Sequence, residues 1–238
     1  MRREHFEVGE TAVTIISSDE YIKVAKEAIF DARGQIEYKI LQDPYFKTSY
    51  EPYGASRNDG TVVKDMCRAG HAASVGPMAA VAGAVAGYTV GKMRDAGASY
   101  AVVDNGGDIA MVCDREVCVG MYADVKGNRL SMLVPPTDRI LGICSSSASV
   151  GPSVSFGKSD ISTVISNDVA LADACATALG NMVRDRSNME EHLEKICAIR
   201  GVTGCLAYCD EMLAVCGNIP KLVRSVANDE IITRPRFG

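Results

Sequence analysis

Residues 101–112 read AVVDNGGDIAMV: an apolar run, a polar turn and a second apolar run. This arrangement predicts two buried strands joined by a tight turn. Gly106 and Gly107 allow a positive φ and let a ligand approach the backbone amides closely. An Asn-Gly turn is also an ordinary hairpin connection. The segment alone therefore predicts a hairpin and leaves a binding role open.

Strand-like segments on both sides of this hairpin are separated mostly by short turns, which favours antiparallel pairing. We predict strands at 100–104, 108–113, 117–122, 130–134, 140–144 and 162–166, with hairpins over 5–16 and 203–216. The fold class that follows is α+β, with mostly antiparallel sheets flanked by helices. No linker-like segment divides the chain, so we expect a single domain over 1–238.

The helices are predicted from their start and stop signals. The segment SSDE at 17–20 is a capping box, and the helix that follows is expected to break at Gly34 and to stop before Pro44. A second helix, rich in Ala and Gly, begins at Pro77, and its small side chains predict close packing. This second helix is predicted to run over 77–97, a third is capped by Asn167 or Asp168 and runs to about Arg184, and a fourth is predicted over 189–198.

Composition narrows the function classes. The 238 residues carry a formal net charge of -5, whereas binding to nucleic acid needs a basic face, so we expect no nucleic-acid partner. The first ten residues lack the apolar core of a signal peptide. The uncharged run at 72–91 contains a Gly-Pro break and is mostly Ala and Gly, which indicates a buried helix rather than a membrane span. We expect a cytoplasmic protein without a membrane partner.

Nine cysteines at irregular spacings favour a reducing compartment over a disulfide framework. Their spacings also match zinc sites poorly. We expect most of the thiols to be small buried apolar groups. Cys67 and Cys144, which border polar loops, are the candidates for a reactive thiol.

The tetrapeptide SVGP occurs at Ser74–Pro77 and again at Ser149–Pro152. A sequence repeat normally shows similarity over about 20 residues or more, and this similarity ends with the tetrapeptide. We interpret the two copies as loops that border one site.

Two further segments carry candidate site residues. The serine-rich segment CSSSASVGPSVSFGKSD at 144–160 offers hydroxyls and amides suited to phosphate or sugar groups, or is a solvent-exposed loop. In SNDVALADACATALGN at 166–181, Asp173 and Thr177 are four residues apart and share one helix face. A carboxylate and a hydroxyl suit Mg²⁺. The alternative is an Asp favoured by the helix dipole and a Thr bonded to its own helix.

His71, within CRAGHAAS at 67–74, is the histidine nearest to these segments. It is a candidate general base or ligand contact. A structural histidine at a helix end is the alternative.

Taken in order, the segments VVDNGGDI, DISTVIS and ADACATA resemble the ApbE superfamily, the FAD:protein FMN transferases. The segments GPMAAVAGA at 76–84, NGGD at 105–108 and SFGKSD at 155–160 are similar to a compact ApbE-like family of archaea and bacteria. The resemblance covers roughly residues 77–181. It implies an α+β fold of antiparallel sheets flanked by helices.

The resemblance also implies a site. Mg²⁺ would be held by Asp173, Thr177 and the backbone carbonyl of Val85, with Asp173 and His71 as the catalytic candidates. FAD or FMN would be held through its phosphates by the glycine turn and the serine loop. These cofactor-binding candidates are Asn105, Gly106, Gly107, Asp108, Ser145, Ser146, Ser147, Ser149, Gly151, Ser155 and Asp160.

The sequence departs from the superfamily pattern in three places. Ala86 and Gly91 stand where the resemblance implies a lysine and an aspartate, and no His-x-x-D-P-x-x-G segment lies between Asp108 and Ser145. The loss of a lysine that could stabilise phosphate charge bears directly on phosphoryl transfer.

Two functions therefore stay open. The first is Mg²⁺-dependent cleavage of the FAD pyrophosphate, which passes FMN to water or to an acceptor protein. The second is a flavin- or nucleotide-binding or assembly protein without this chemistry, in anaerobic redox or sulfur metabolism, with a persulfide on Cys67 or Cys144. A homo-oligomer is compatible with both.

Overall fold

A computed structural model of the chain describes residues 1–125, 128–146 and 159–225. The strands are β1 Arg2–Val8, β2 Thr11–Ser17, β3 Ala101–Asn105, β4 Asp108–Cys113, β5 Val117–Val125, β6 Asn128–Val134, β7 Thr137–Ser146, β8 Ile161–Ser166, β9 Val202–Cys209, β10 Met212–Gly217 and β11 Lys221–Ser225. The helices are α1 Asp19–Gln42, α2 Tyr45–Thr48, α3 Thr61–Ala73, α4 Val81–Asp95, α5 Val169–Met182 and α6 Met189–Cys197, and a 3₁₀ turn at Pro77–Ala80 precedes α4.

Eight strands form one sheet in the order β1-β2-β3-β4-β7-β8-β9-β10, and β11-β6-β5 form a second, smaller sheet. The pairings between the described strands are antiparallel. Helices cover one face of the large sheet, and the small sheet packs against the other face through a second apolar cluster. The predicted α+β fold, with antiparallel sheets flanked by helices, is confirmed.

The large sheet contains the same connection pattern twice. A strand pair, a helical segment and a second strand pair occur first as β1-β2, α1 to α4 and β3-β4, and then as β7-β8, α5-α6 and β9-β10. The first SVGP copy lies between two helices, whereas the second falls between β7 and β8, within residues outside the described part of the chain. The tetrapeptides therefore do not occupy equivalent places in the topological repeat.

The prediction of a helix break at Gly34 is wrong, because α1 runs through this residue without interruption. A glycine inside a helix costs roughly 1 kcal/mol relative to alanine. Ile22, Ile29 and Ile36 of α1 are buried, and each buried isoleucine stabilises the fold by roughly 1.5–3 kcal/mol. Apolar burial therefore outweighs the glycine.

The capping box predicted at 17–20 does not form. Ser18 is the N-cap of α1, as its position suggests, but its hydroxyl donates to the Glu20 carboxylate instead of accepting from the helix backbone. Three elements, α2, α3 and β11, have no counterpart among the sequence predictions.

The predicted close packing of the Ala/Gly helix is observed where α4 crosses α5. A Cβ at Gly83 would lie 2.6 Å from the Val169 carbonyl oxygen, and one at Gly87 would lie 3.0 Å from the Val169 Cβ. The two glycines thus let the helix backbones approach closely.

Within the described residues no single helix is both long and apolar enough to cross a membrane. The helix α3 and the Pro77–Asp95 segment are long and apolar enough for a membrane span only when taken together, and the chain bends by 105° between them.

We expect opposite effects from two glycine-to-alanine substitutions. Gly76→Ala places a Cβ 1.9 Å from the Ser49 carbonyl oxygen, and we expect it to lower the free energy of unfolding by about 1–3 kcal/mol. Gly34→Ala meets no atom within 4 Å in an exposed helix interior, and we expect it to raise the free energy of unfolding by about 0.5–1 kcal/mol. Urea denaturation of both variants checks this, and a loss of stability in Gly34→Ala would contradict it.

Candidate functional site

Most of the sequence-predicted site residues meet at one end of the large sheet. The turn between β3 and β4 and the end of β7 lie beside the start of α4 and the middle of α5. These four segments supply carboxylates, hydroxyls, an amide side chain and main-chain groups to a small volume.

Asp173 lies on α5 and is only 7% exposed. One of its carboxylate oxygens, Oδ2, accepts a hydrogen bond of 2.7 Å from the backbone amide of Gly83 on α4. Burial raises the pKa of Asp173 to about 7, while the amides of Gly83 and Ala82 oppose this shift. A carboxyl of this kind changes charge near neutral pH.

Asp108 begins β4 and pairs with Cys144 in the register of β4 and β7. Its Oδ1 atom is buried and has no hydrogen-bond partner among the residues that the structure describes. Burial raises the pKa of Asp108 well above its ordinary value, and the nearby charge of Asp173 adds to this shift. An unpaired buried carboxylate oxygen is costly, and it marks a group that a proton or a cation would satisfy.

Asp108 and Asp173 therefore form a pair of buried, mutually repelling carboxylates, which we call the carboxylate pair. Two such groups cannot both ionise cheaply in an environment of low dielectric constant. Either one proton stays with the pair or a positive ion neutralises it.

Thr177 follows Asp173 by one helical turn, and its hydroxyl donates a hydrogen bond of 3.5 Å to the Ala79 carbonyl. The side-chain amide of Asn105 donates to the Ala82 carbonyl at 3.1 Å. Main-chain carbonyls at the start of α4 thus point toward the two side chains. The Val85 carbonyl accepts a hydrogen bond of 2.7 Å from Thr89 within the same helix, so its predicted role as a metal ligand stays a prediction.

The NGGD turn has the backbone conformation that its glycines allow. Gly106 and Gly107 have φ values of +72° and +103°. The Gly107 amide donates to the Asp104 carboxylate at 2.9 Å. Apart from their chain neighbours, no atom of the described residues lies within 4 Å of a Cβ placed on either glycine, so this part of the structure leaves the turn open for a ligand to approach.

Two of the predicted serines line the same end of the sheet. The Ser145 hydroxyl shares a hydrogen bond of 2.8 Å with Thr163 on β8. The Ser146 hydroxyl lies 3.1 Å from the Cβ position of Gly180, three residues beyond Thr177 on α5. Asp160 lies just before β8, and its amide donates to the Tyr208 carbonyl at 3.0 Å. Ser147, Ser149, Gly151 and Ser155 lie outside the described residues.

The His71 side chain is exposed, unlike the buried carboxylate of Asp173. The residue lies in the last turn of α3, and Ser74 then ends that helix in the left-handed conformation. Its predicted catalytic role stays a prediction.

The two candidate reactive thiols are both buried. Burial raises the pKa of Cys67 to about 11, and burial and then the charge of Asp108 raise the pKa of Cys144 well above its ordinary value. The thiolate is the nucleophilic form of cysteine. Neither environment therefore favours a persulfide carrier.

A surface pocket of about 260 Å³ is lined by Gly83, Gly87, Asp168 and Ile140. A larger open cleft of about 590 Å³ lies between α1 and residues 58–63, and neither Asp108 nor Asp173 lines either pocket. The smaller pocket is the one that adjoins the site.

The oxygen donors present fit a hard divalent cation. Carboxylates, a hydroxyl and main-chain carbonyls are the ligands of Mg²⁺, which keeps several waters. In the described part of the chain, no group of three or more His, Cys, Asp or Glu has a metal-binding arrangement. The donor set therefore fits Mg²⁺ better than zinc.

Sequence reasoning missed three main-chain contributors, namely the Gly83 amide and the carbonyls of Ala79 and Ala82. Their side chains are small and carry no chemical signal. The only available indication was the density of Ala and Gly around them, which predicted close packing but not its partner.

Solved structures share this fold. The flavin transferase ApbE from Vibrio cholerae matches with a TM-score of 0.58 at 13% identity, over 94% of this chain and 97% of that one. The apo form of the Pseudomonas stutzeri flavinyl transferase ApbE matches with a TM-score of 0.58 at 10% identity, over 99% and 98%. The molecule is therefore an α+β protein with the ApbE fold.

Sequence comparison identifies the family. The model of the family described as "AbpE bacteria" matches residues 1–198. A UPF0280 protein from Methanocella arvoryzae is 46% identical to this chain, over 96% of this chain and 94% of its own length. A UPF0280 protein from Archaeoglobus fulgidus is 47% identical to this chain, over 98% of this chain and 100% of its own length. The chain belongs to this ApbE-like UPF0280 family, and the resemblance seen in its motifs is confirmed.

The carboxylate pair predicts how stability depends on pH when a chelator is present. The folded-state pKa of Asp173 is raised from 3.8 to about 7, so its favourable contribution is complete below 3.8 and is lost as the pH rises through about 7. We expect the free energy of unfolding to fall across this window, and to fall less in Asp108→Asn, because that substitution removes a second carboxyl whose pKa is raised. Denaturant titrations at several pH values measure both slopes.

The matched control is Asp95→Asn, which neutralises an exposed carboxylate at the far end of α4. We expect this variant to keep the wild-type slope. Equal slopes for the wild type and Asp108→Asn would show that the pair does not govern the pH dependence.

Proposed function

We propose that this protein binds FAD with Mg²⁺ beside the carboxylate pair and cleaves the FAD pyrophosphate. The products are AMP and an FMN group that passes to water or to a hydroxyl of an acceptor protein. The observation that carries the proposal is the buried pair itself, in which Asp108 keeps an unpartnered oxygen and repels Asp173. The ApbE fold and the family membership support a flavin nucleotide as the ligand.

Asp173, Thr177 and the Ala79 carbonyl would hold the ion, since they lie together at the α4–α5 crossing. When bound, Mg²⁺ neutralises pyrophosphate charge as a Lewis acid. The Gly83 amide keeps the Asp173 carboxylate in a fixed orientation, and Asn105 does the same for the Ala82 carbonyl. The chain thereby orients oxygen ligands before the nucleotide arrives.

The flavin nucleotide would be held through its phosphates at the NGGD turn. The open side of Gly106 and Gly107 lets phosphate oxygens approach the backbone, as in other anion-binding turns. Ser145 and Ser146 supply hydroxyls at the end of β7 beside this turn. We propose no histidine-dependent step, because the His71 side chain is exposed on α3.

A second candidate function is favoured by Ala86. This residue stands at the position of the superfamily lysine and is fully buried in the helix-side core. A site without the lysine side chain loses its positive charge, which would stabilise the phosphate during phosphoryl transfer. The candidate function is binding of the flavin nucleotide without cleavage, and it uses the same residues.

We expect wild-type protein incubated with FAD and Mg²⁺ to release FMN and AMP, and chromatographic separation of the products checks this. Asp173→Asn removes a direct ion ligand, so we expect Mg²⁺-stimulated release to fall at least about 100-fold. Thr177→Val should also lose activity, whereas Thr177→Ser should retain it because the hydroxyl remains.

Asp95→Asn is the control and should release product at the wild-type rate. Bound but uncleaved FAD in the wild type would reject cleavage and leave the binding function. Release that is unchanged in Asp173→Asn would reject the assignment of the site.

A further inference from the structure

Three thiols meet where α6 packs on the β9–β10 hairpin, away from the carboxylate pair. Cys205 and Cys216 face each other across β9 and β10, and the Cβ atoms of such a pair lie about 4.5–5.5 Å apart. Cys197 is the last residue of α6, and its Sγ would lie 2.6 Å from a Cβ placed on Gly217. Glycine at this position lets the Cys197 sulfur rest against the end of β10.

The three thiols differ in access to solvent. Cys205 is fully buried, and its thiol donates to the Leu193 carbonyl at 3.4 Å. Cys197 and Cys216 are both partly exposed. The side chains of Cys197 and Cys216 interact, and this interaction is the largest cause of the raised pKa of Cys216.

A soft-metal site does not account for this cluster as well as thiol exchange does. Among the described residues, no group of three His, Cys, Asp or Glu has an arrangement that would hold a metal ion. Cys197 and Cys216 are partly exposed, whereas Cys205 is buried. This arrangement is typical of two accessible thiols that can exchange with a disulfide.

We propose that Cys197 and Cys216 form a dithiol site that reacts with low-molecular-weight disulfides, such as oxidised glutathione, and closes a Cys197–Cys216 disulfide. This site is separate from the proposed flavin function. Its variants leave Asp108, Asp173 and Thr177 unchanged.

The reaction proceeds by two exchange steps. The Cys197 thiolate attacks oxidised glutathione, which forms a mixed disulfide and releases one glutathione thiolate. Cys216 then loses its proton and attacks the Cys197 sulfur, which releases the second glutathione. The protein loses two electrons and two protons, and one oxidised glutathione becomes two reduced molecules.

Cys197 is assigned the first step because its interaction with Cys216 disfavours the Cys216 thiolate, and the thiolate is the attacking form of cysteine. The raised pKa of Cys216 agrees with this order. The resulting bond would fasten the end of α6 to β10, which is an edge strand of the large sheet.

The test incubates the full-length protein with oxidised glutathione, alkylates the remaining thiols and maps the peptides by mass spectrometry. We expect a Cys197–Cys216 disulfide with no glutathione on either residue. Cys118 is exposed and serves as an internal control. It is expected to carry a mixed glutathione disulfide instead.

Two variants sharpen the result. Cys216→Ser should trap glutathione on Cys197, because the second exchange step is removed, and Cys118→Ser should leave the internal disulfide intact. Alkylated Cys197 and Cys216 beside a glutathionylated Cys118 would overturn the proposal. A stable glutathione adduct on each thiol of the wild type, or a Cys205–Cys216 disulfide, would overturn it equally.

Discussion

The hydrogen bond from the Gly83 amide to the Asp173 carboxylate joins α4 to α5 at the centre of the helical layer. It requires a glycine at position 83, because a Cβ there would lie 2.6 Å from both the Asp173 Cβ and the Val169 carbonyl oxygen. The contact fixes the crossing of the two helices. It also orients the carboxylate and brings the start of α4 to the NGGD turn.

The same contact concentrates charge in the core. The Asp173 carboxylate accepts hydrogen bonds from backbone amides but has little contact with solvent. The nearby carboxylate of Asp108, at the start of β4, adds a second negative charge. Burying two carboxylates opposes folding unless a proton or a cation compensates. Retaining such a pair in a small-residue pocket is typical of a functional site rather than of a structural core.

Much of the fold was predictable from local patterns. The strands β3 and β4 follow from apolar runs around an Asn-Gly turn, and the start of α5 follows from Asp168, whose carboxylate accepts from the Leu171 amide. The break predicted at Gly34 is wrong, because local propensity does not report the burial of the opposite helix face. The strand β11 was missed because it pairs with β6 from far along the sequence.

The candidate site was predictable only in part. Asp173, Thr177 and the NGGD turn carry motifs, so their residue types and spacing indicated an ion and a phosphate. Their meeting with Ala79, Ala82 and Gly83 depends on long-range packing, and main-chain donors leave no trace in residue type. The topological repeat of the large sheet is likewise invisible in sequence, since it preserves connections and not side chains.

The central claim is that a divalent cation binds beside the carboxylate pair with Asp173 as a ligand, and Mn²⁺ as a probe tests it most directly. The free-ion electron paramagnetic resonance signal of Mn²⁺ is titrated with wild-type protein and with Asp173→Asn, each with and without FAD. The account predicts that wild-type protein removes the free signal, more strongly with FAD, and that Mg²⁺ restores it by competition. An identical free signal with the wild type and with Asp173→Asn would contradict the account.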